Sequence, residues 1–207
     1  GVTNFALNTM GTNYALEGKQ LAVLSEFVRN VYFGAMRGQY MHYNAIGRSV
    51  SRANATNKSS MSRNIETLQL QLDPANSVEY ADGIKRMKGQ EPANYKIEAS
   101  NKFYPQSDYV VHARPDYSFS VRAVSDRTTF IENGNKENLL SYFMTFGSTI
   151  MMQTGSEYAD IFPVWNWNRV PGVTNPQVSK RPLRKDWGIM GTEKFVGGAS
   201  DNMYAVM

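Results

Sequence analysis

The spacing of apolar residues changes once along this chain, and that change limits the folds open to it. In three segments between residue 14 and residue 88 apolar side chains recur every three or four positions, which is the period of amphipathic helices. After the polar stretch KGQEPAN, residues 88–94, β-branched and aromatic residues alternate with polar ones, as in half-buried strands. Helices followed by strands, without interleaving, predict an α+β fold rather than a parallel α/β sheet.

Three helices are predicted in the first part of the chain, over residues 14–36, 62–72 and 77–88. Ser62 is the predicted N-cap of the second helix, and Pro74 follows that helix, where proline commonly stands. We expect each helix to bury one side. The predicted buried faces are, in order, Leu21, Leu24, Phe27, Val28, Val31 and Ala35; Ile65, Leu68 and Leu72; and Val78, Ala81, Ile84 and Met87.

Strands are predicted in the second part of the chain. Residues 108–124 are rich in β-branched and aromatic side chains and contain a turn signal at Pro115, so they predict two paired strands. Residues 139–146 and 148–153 predict further strands, separated by Gly147. Together these segments predict an antiparallel, strand-rich second part.

The length of 207 residues allows one large or two small domains. The change of hydrophobic period places a boundary near residues 89–100. We therefore predict a helical domain over residues 1–93 and a strand-rich domain over residues 94–207.

The composition excludes several classes of function. Cysteine is absent, which excludes disulfides, thiolate metal sites and a cysteine nucleophile. The net charge is +4 and the basic residues are spread along the chain, most densely at residues 181–185, so we expect no nucleic-acid partner. No run of about 18 apolar residues occurs, so no membrane span is expected.

The two histidines, His42 and His112, stand without a recognisable catalytic or metal-binding motif. Neither HExxH nor GxSxG occurs in the chain. Each histidine lies among apolar and aromatic neighbours, where the imidazole usually makes its hydrogen bonds within the fold. We therefore interpret both as structural.

The segment GRSVSR, residues 47–52, places two arginines four positions apart. Arg48 and Arg52 can lie on one side of a helix or point inward together from a loop, and the guanidinium fork suits carboxylate or sulfate. The alternative is an ordinary helix start, where Gly, Ser and Arg are common. Both interpretations stay open at this point.

The segment IENGNKENLL, residues 131–140, is more polar than a turn between strands requires. Asn133 and Gly134 predict a type I′ hairpin turn. A two-residue turn does not need the carboxylates and amides around it, and such a cluster can hold an arginine through charge-assisted hydrogen bonds. The polar residues that flank the turn are Glu132, Asn135, Glu137 and Asn138.

The three tryptophans divide into a pair and a single residue. Trp165 and Trp167 alternate in VWNWN and are predicted on one face of a strand, where large aromatics are more often core than a platform for sugars. Trp187 stands alone among loop signals in RKDWGIMG. It is the better candidate for an exposed stacking surface.

Five separated segments resemble, in order and spacing, the polysaccharide lyase family 8, which includes chondroitin AC and ABC lyases, hyaluronate lyases and xanthan lyases. The segments are IGRSVSR, SDYVVHARPDYSFSVR, ENGNKENLL, GSEYADIFPVWNWNRVPGVT and FVGGASDN. They span nearly the whole chain, and GNKEN is most similar to the chondroitin AC lyase-like branch. The resemblance implies the end of an incomplete α/α toroid followed by the first part of an antiparallel β-sandwich of the galactose mutarotase type, with a cleft between them.

The resemblance also implies a reaction, β-elimination on a uronate-containing polysaccharide such as chondroitin sulfate or hyaluronan. In such enzymes the uronate carboxylate is neutralised, a base removes the C5 proton, and an acid protonates the oxygen that leaves C4. The product carries a 4,5-unsaturated uronate. No water attacks, so the carboxylate pair of a hydrolase is not required.

Site residues follow from the same resemblance. Arg48 matches the family arginine beside the catalytic tyrosine, which favours the ionised tyrosine and the leaving oxygen, and Arg52 matches a second cleft arginine that contacts substrate. Glu132 and Asn135 match a polar pair that orients the first arginine and the catalytic residues. Trp187 lies near the position of an aromatic that stacks on sugar.

The family's catalytic histidine, its catalytic tyrosine and the asparagine that neutralises the uronate are implied to lie before Gly1. We therefore expect this chain to be an internal fragment that is inactive alone. In relatives of the chondroitin AC lyase type, acidic residues near the Trp-x-Trp motif help to bind calcium, whereas Asn166 and Asn168 stand here. Neutral amides are poorer Ca²⁺ ligands, so no cofactor is expected to be required and a bound Ca²⁺ is disfavoured.

Two alternatives stay open beside the glycosaminoglycan lyase. One is a non-catalytic carbohydrate-binding β-sandwich module, and the other is a xanthan lyase of the same family. In each case the expected partner is an anionic polysaccharide, and the chain is expected to need the rest of its own protein. The resemblance implies a secreted or periplasmic bacterial protein.

Overall fold

The computed structural model describes residues 1–180, 182, 187, 189–201 and 203–207. The basic cluster at residues 181–185 therefore lies outside the described residues, except for Pro182. A helical part comes first and a sheet follows it, so the predicted α+β order is confirmed. Within the described residues, no helix combines the length and the apolar character needed to cross a membrane.

The helical part is built from short α-helices, two of which continue into π-helical turns. Their buried face packs around Leu68, Tyr80 and Met87, each almost completely buried. The α-helices are α1 (Val2–Asn8), α2 (Gly18–Glu26), α3 (Ser62–Thr67) and α4 (Ser77–Met87), and the π-helical turns are Phe27–Tyr32 after α2 and Leu68–Leu72 after α3.

The three predicted helices exist, but their ends and faces differ in part from the prediction. The first runs over residues 18–32 rather than 14–36, and Phe27 is exposed because a π turn begins there and breaks the three- and four-residue spacing. Val78 is exposed too. Each residue of an α-helix is rotated by about 100° from the one before, so Val78 lies on nearly the opposite side of the helix from the buried Tyr80. Ser62 lies inside α3, and Met61 occupies the N-cap position without a side-chain hydrogen bond.

The sheet is a four-stranded antiparallel meander in the order β3-β4-β5-β6. The turn between β4 and β5 lies at residues 114–117, closed by the amide of Arg114 donating to the carbonyl of Tyr117 at 2.8 Å. The two paired strands and the strand predicted at residues 148–153 are confirmed. The bounds are β3 (Ser100–Tyr104), β4 (Tyr109–Ala113), β5 (Ser118–Arg122) and β6 (Ser148–Met152), with two-residue pairs at β1 (Met36–Arg37) and β2 (Tyr40–Met41) and at β7 (Ala199–Ser200) and β8 (Ala205–Val206).

The strand predicted over residues 139–146 is wrong. These residues form consecutive turns, in which the amide of Met144 donates to the carbonyl of Ser141 and that of Phe146 to the carbonyl of Phe143. The apolar residues there are consecutive rather than alternating, so the segment folds into a compact aromatic group instead of a pleated strand. Its rings are Phe130, Tyr142, Phe143 and Phe146.

Trp165 and Trp167 are not on a strand either. A 3₁₀ turn, Phe162–Val164, precedes them, and their rings stack at 5.9 Å in one aromatic cluster with Phe162. The indole N–H of Trp167 donates to the carbonyl of Phe162 at 3.2 Å. The core interpretation of this pair is therefore confirmed, in a different backbone setting.

Arg37 joins the helical part to the loops of the sheet. It is only 3% exposed, and its guanidinium donates to three backbone carbonyls: Nε to Gln153 at 2.7 Å, Nη1 to Arg114 at 3.0 Å and Nη2 to Pro115 at 2.5 Å. Three bonds from one cation satisfy the charge and fix the β1–β2 hairpin against the sheet.

Candidate functional site

The segment from His42 to Arg52 lies between the helical part and the four-stranded sheet, and it packs against the sheet. It consists of two 3₁₀ turns, Tyr43–Ala45 and Gly47–Ser51. The hydroxyl of Tyr43 donates to the backbone carbonyl of Thr149 at 2.9 Å. The side-chain amide of Asn44 donates to the backbone carbonyl of Ser148 at 3.1 Å. These bonds to β6 fix the start of the turn that carries the two arginines.

His42, at the start of that segment, is fully buried. Its Nδ1 lies 2.6 Å from the hydroxyl of Tyr109 and its Nε2 lies 3.0 Å from that of Ser118, so both ring nitrogens are occupied. Burial, reinforced by the nearby charge of Arg37, lowers the pKa of His42 to about 3. The imidazole is therefore neutral at ordinary pH and holds the strands together, as the structural interpretation expects.

His112 is likewise engaged in the fold. Its Nε2 lies 3.1 Å from the hydroxyl of Tyr117, and its Nδ1 contacts the side chain of Asn101. Partial burial, with the charge of Arg114, lowers the pKa of His112. Both histidines thus act as hydrogen-bonding residues of the sheet.

The loop over residues 131–138 is not the predicted type I′ hairpin. A 3₁₀ turn, Gly134–Lys136, replaces it, and Asn135, Lys136 and Asn138 adopt positive φ values of 57°, 61° and 59°. The side chain of Asn133 donates to the backbone of Asn138, and the side chain of Asn138 donates to the carbonyl of Glu132 at 3.0 Å. Because these two amides are buried and bond the loop to itself, the backbone needs no partner strand to satisfy it.

Glu137, at the end of this loop, pairs with both arginines. Its two oxygens accept from Nε and Nη2 of Arg52 at 2.9 and 3.0 Å, and one of them lies 3.5 Å from Nε of Arg48. The hydrogen bond from Arg52, ahead of the charges of Arg52 and Arg48, holds the pKa of Glu137 below its usual value. The same hydrogen bond raises the pKa of Arg52.

The structure shows which carboxylate pairs with Arg48. Among the described residues, the acidic partner of Arg48 is Glu137, whereas Glu132 accepts a hydrogen bond through its backbone carbonyl and Asn135 is exposed. The positive φ of Asn135 turns the loop so that Glu137 faces the arginines. The catalytic roles of Glu132 and Asn135 stay predictions.

Trp187 completes the cluster. The guanidinium carbon of Arg48 lies 4.3 Å from the centre of the Trp187 ring, which remains 53% exposed. The ring also rests on Gly134, where an added Cβ would lie 1.9 Å from its Cζ2. The structure thus brings together the predicted residues Arg48, Arg52 and Trp187, and a cation over an indole face is a favourable contact.

One donor in this cluster has no partner. Nη1 of Arg48 is inaccessible to solvent and makes no hydrogen bond with any described residue. A buried donor left unpaired costs about 1–3 kcal/mol, and such an atom in a polar cluster calls for a bound acceptor. An anionic or negatively polarised oxygen can reach this donor only if the side chains that cover it move.

A groove of about 580 Å³ continues from Arg52 along the surface. Its walls are mostly apolar and include the half-exposed Leu139 and Leu140 and the buried Trp167. Arg52 therefore belongs both to the cationic cluster and to the wall of this groove.

A calcium site at the Trp-x-Trp motif finds little support in the local donors. The side-chain oxygen of Asn166 accepts from the backbone amide of Asn168 at 3.1 Å, so it closes a turn. Within the described ranges, no three acidic or histidine side chains converge as metal ligands would. The donors present are thus a poor match for the carboxylate-rich shell that Ca²⁺ prefers.

Comparison with known families gives the class of this protein. Residues 1–86 match the N-terminal alpha-helical domain of polysaccharide lyase family 8, and residues 99–207 match the super-sandwich domain of the same family. The chain belongs to polysaccharide lyase family 8. The predicted boundary between residues 93 and 94 lies in the gap between the two matches and stays a prediction.

Individual relatives point to one branch of the family. Chondroitinase AC of Pedobacter heparinus is 42% identical over 205 residues, which are 99% of this chain and 29% of that protein. A hyaluronate lyase of Thermasporomyces composti is 33% identical over 123 residues, 56% of this chain and 15% of the relative. The chain thus spans under a third of the length of the chondroitinase, and its likeness to the chondroitin AC type is confirmed.

Solved structures agree with this fold. A chondroitinase AC lyase studied in complexes with oligosaccharides superimposes with a TM-score of 0.91 at 40% identity, over 99% of this chain and 30% of that one. A chondroitin AC lyase from Streptomyces coelicolor, in complex with chondroitin sulphate, gives 0.78 at 18% identity over 99% of this chain and 33% of that one. The second likeness shows the fold alone.

The resemblance implies no site role for Glu137. The sequence signal that points to it is the excess polarity of GNKEN, which indicates a cluster able to hold an arginine without indicating which carboxylate does so. The partner arginine lies 85 positions earlier, so no local spacing connects the two.

Proposed function

We propose that this protein acts as a polysaccharide lyase that cleaves uronate-containing glycosaminoglycans by β-elimination. The substrate class is chondroitin sulfate or hyaluronan, and the product carries a 4,5-unsaturated uronate. One observation carries the proposal: Arg48, whose buried Nη1 has no hydrogen-bond partner among the described residues, lies against both Glu137 and the half-exposed indole of Trp187. The 42% identity to chondroitinase AC supports the choice of substrate class.

The residues of this chain serve the proposed reaction by binding and by stabilising charge. The guanidinium of Arg48 stabilises the oxygen that gains negative charge as the bond to C4 breaks, which lowers the barrier. Arg52, half exposed, contacts an acidic group of the polymer, and Trp187 supports a sugar ring with its open face. Glu132 and Asn135 are further proposed site residues, on the resemblance described above.

Further features belong to the same proposal. The groups that remove and deliver protons come from parts of the protein other than these 207 residues, so the chain alone is inactive and needs the rest of the protein. No cofactor is required. The protein is secreted or periplasmic in a bacterium, where an extracellular polymer is accessible.

The test compares the full-length natural protein that carries this chain with the 207-residue chain alone. Both are incubated with chondroitin sulfate, hyaluronan and xanthan, and the ultraviolet absorbance of the unsaturated uronate is followed. We expect the full-length protein to release this product from a glycosaminoglycan and the chain alone to release none.

Other outcomes have defined meanings. If the full-length protein binds chondroitin sulfate without releasing product, the protein is a carbohydrate-binding module and the lyase proposal fails. Cleavage of xanthan alone replaces the substrate class. Turnover by the isolated chain would show that the proton-transferring groups lie within it.

A further inference from the structure

Glu137 binds one particular edge of each arginine. On Arg52 it accepts from Nε and from Nη2, and on Arg48 it approaches Nε. A guanidinium carries five N–H donors in a planar fork, so the Nη1 groups of both arginines stay outside this contact. For Arg48, that Nη1 is the buried donor without a partner among the described residues.

Without Glu137 two cations would face each other across a small turn. Arg48 and Arg52 are four positions apart and share one carboxylate, so that carboxylate neutralises the repulsion that would separate their heads. The Trp187 ring limits Arg48 on another side, with its centre 4.3 Å from the guanidinium carbon. The plane of the Arg48 fork is therefore determined by a carboxylate at its edge and an indole on its face.

The loop that carries Glu137 is itself preorganised. Asn133 and Asn138, each 5% exposed, bind the loop backbone with their side chains, and the amide of Glu137 donates to the carbonyl of Gly134 at 3.0 Å. A carboxylate on such a loop can hold an arginine at small entropic cost, because the loop backbone is already ordered before the arginine binds.

We propose that Glu137 is a positioning residue, which holds Arg48 against the indole of Trp187 and keeps Arg52 beside it, so that the two guanidinium groups act together on an anionic sugar. Its effect on turnover rests on the proposed lyase function, whereas its effect on the geometry of Arg48 and Trp187 does not. Glu137 touches the arginines rather than the substrate.

The first test is spectroscopic and needs no activity. The emission of Trp187 is isolated as the difference between the full-length protein and its Trp187→Phe variant, measured both with Glu137 intact and with the substitution Glu137→Gln. Because Glu137→Gln removes the charge that holds Arg48 over the ring, we expect the Trp187 emission to shift to longer wavelength and acrylamide quenching to increase. Glu79→Gln is the matched control, since Glu79 forms a similar exposed pair with Nε of Arg29 at 2.6 Å, far along the chain from this cluster.

The second test is kinetic. Misplacement of a charge-stabilising group by about 1 Å can cost about 100-fold in rate, so we expect Glu137→Ala to lower kcat about 10- to 100-fold. KM for the anionic polymer is not expected to rise, because a negative charge has been removed. Glu137→Asp, which keeps the charge on a shorter stem, is expected to recover part of kcat, and Glu79→Gln to leave kcat and KM unchanged.

The outcomes separate the two proposals. If Glu137→Gln leaves both the Trp187 emission and kcat as in Glu79→Gln, the positioning role is overturned. It is also overturned if kcat falls only in proportion to a lost folded fraction, measured by circular dichroism. If the unaltered protein cleaves no uronate polymer, the lyase proposal fails, while the emission of Trp187 still decides whether Glu137 positions Arg48.

Discussion

The two ends of the segment from His42 to Arg52 use polar residues in opposite ways. At its start His42, Tyr43 and Asn44 are buried, uncharged, and hydrogen-bonded through their side chains to the sheet. At its end Arg48 and Arg52 are charged and partly exposed, and one donor of Arg48 has no partner among the described residues. Polar groups whose hydrogen bonds are all made within the fold stabilise the structure, whereas a polar group with an unused donor marks where a ligand can bind.

The largest expected effect lies at the charged end. Arg48→Ala in the full-length protein removes the group proposed to stabilise the leaving oxygen, so kcat should fall about 100-fold or more. The melting temperature should change little, since Glu137 stays paired with Arg52 and the ion pair lost with Arg48 is long, at 3.5 Å. Product release under saturating chondroitin sulfate measures the first quantity and circular dichroism the second. Unchanged kcat would remove Arg48 from the site.

The buried end should respond to pH instead. The folded pKa of His42 is about 3 and its ordinary value is 6.5, so the unfolded state binds the extra proton and stability falls as pH drops below 6.5. Between about pH 7.5 and about pH 5 this residue should remove about 2 kcal/mol of unfolding free energy. Urea denaturation at the two pH values measures the change.

The matched variant for this prediction is His42→Gln, which keeps an amide that can bond to Tyr109 and cannot titrate. It should be less stable at neutral pH but should lose about 2 kcal/mol less on acidification. His112 is present in both proteins, so its contribution to the pH dependence of stability cancels when the two losses are compared. An equal loss in the two proteins would show that His42 is protonated within the fold.

The smallest expected effect tests how Trp187 is seated. Gly134→Ala would place a methyl group 1.9 Å from Cζ2 of the indole, so the ring must move off the loop and away from Arg48. Because the ring is half exposed, stability should change by less than about 1 kcal/mol, while KM should rise several-fold through the lost stacking, worth about 0.5–1 kcal/mol. Gly197→Ala is the control, since an added Cβ there meets nothing within 4 Å. A KM equal to that of the control would mean that Trp187 does not contribute to binding.

The sequence predicts the fold where local spacing determines the contacts. Ile65, Leu68 and Leu72 are buried as their three- and four-residue spacing indicates, and the hairpin around Pro115 forms as its turn signal indicates. The predicted burial of Phe27 and the predicted strand at residues 139–146 are wrong. A π turn replaces the regular helix in the first case and an aromatic cluster replaces the strand in the second, and both depend on packing between distant segments. Periodicity carries no information about either.

The candidate site shows the same limit more strongly. The resemblance to family 8 brings Arg48, Arg52 and Trp187 into one expected cleft, and the structure places them together. The resemblance implies that Glu132 and Asn135 orient Arg48, which stays a prediction, whereas the carboxylate that pairs with both arginines is Glu137. The difference of about five positions within one loop depends on its positive φ values, which neither motif order nor composition encodes.

The three carbonyls bound by Arg37 have a consequence for motion. The β1–β2 hairpin and the loops after β4 and β6 are joined through one buried cation, and the arginine-bearing turn follows that hairpin directly. A hinge at this point would have to break three charged hydrogen bonds at once. We therefore expect Arg48 and Arg52 to move with the sheet as one rigid body, so that domain motion leaves the cationic cluster assembled.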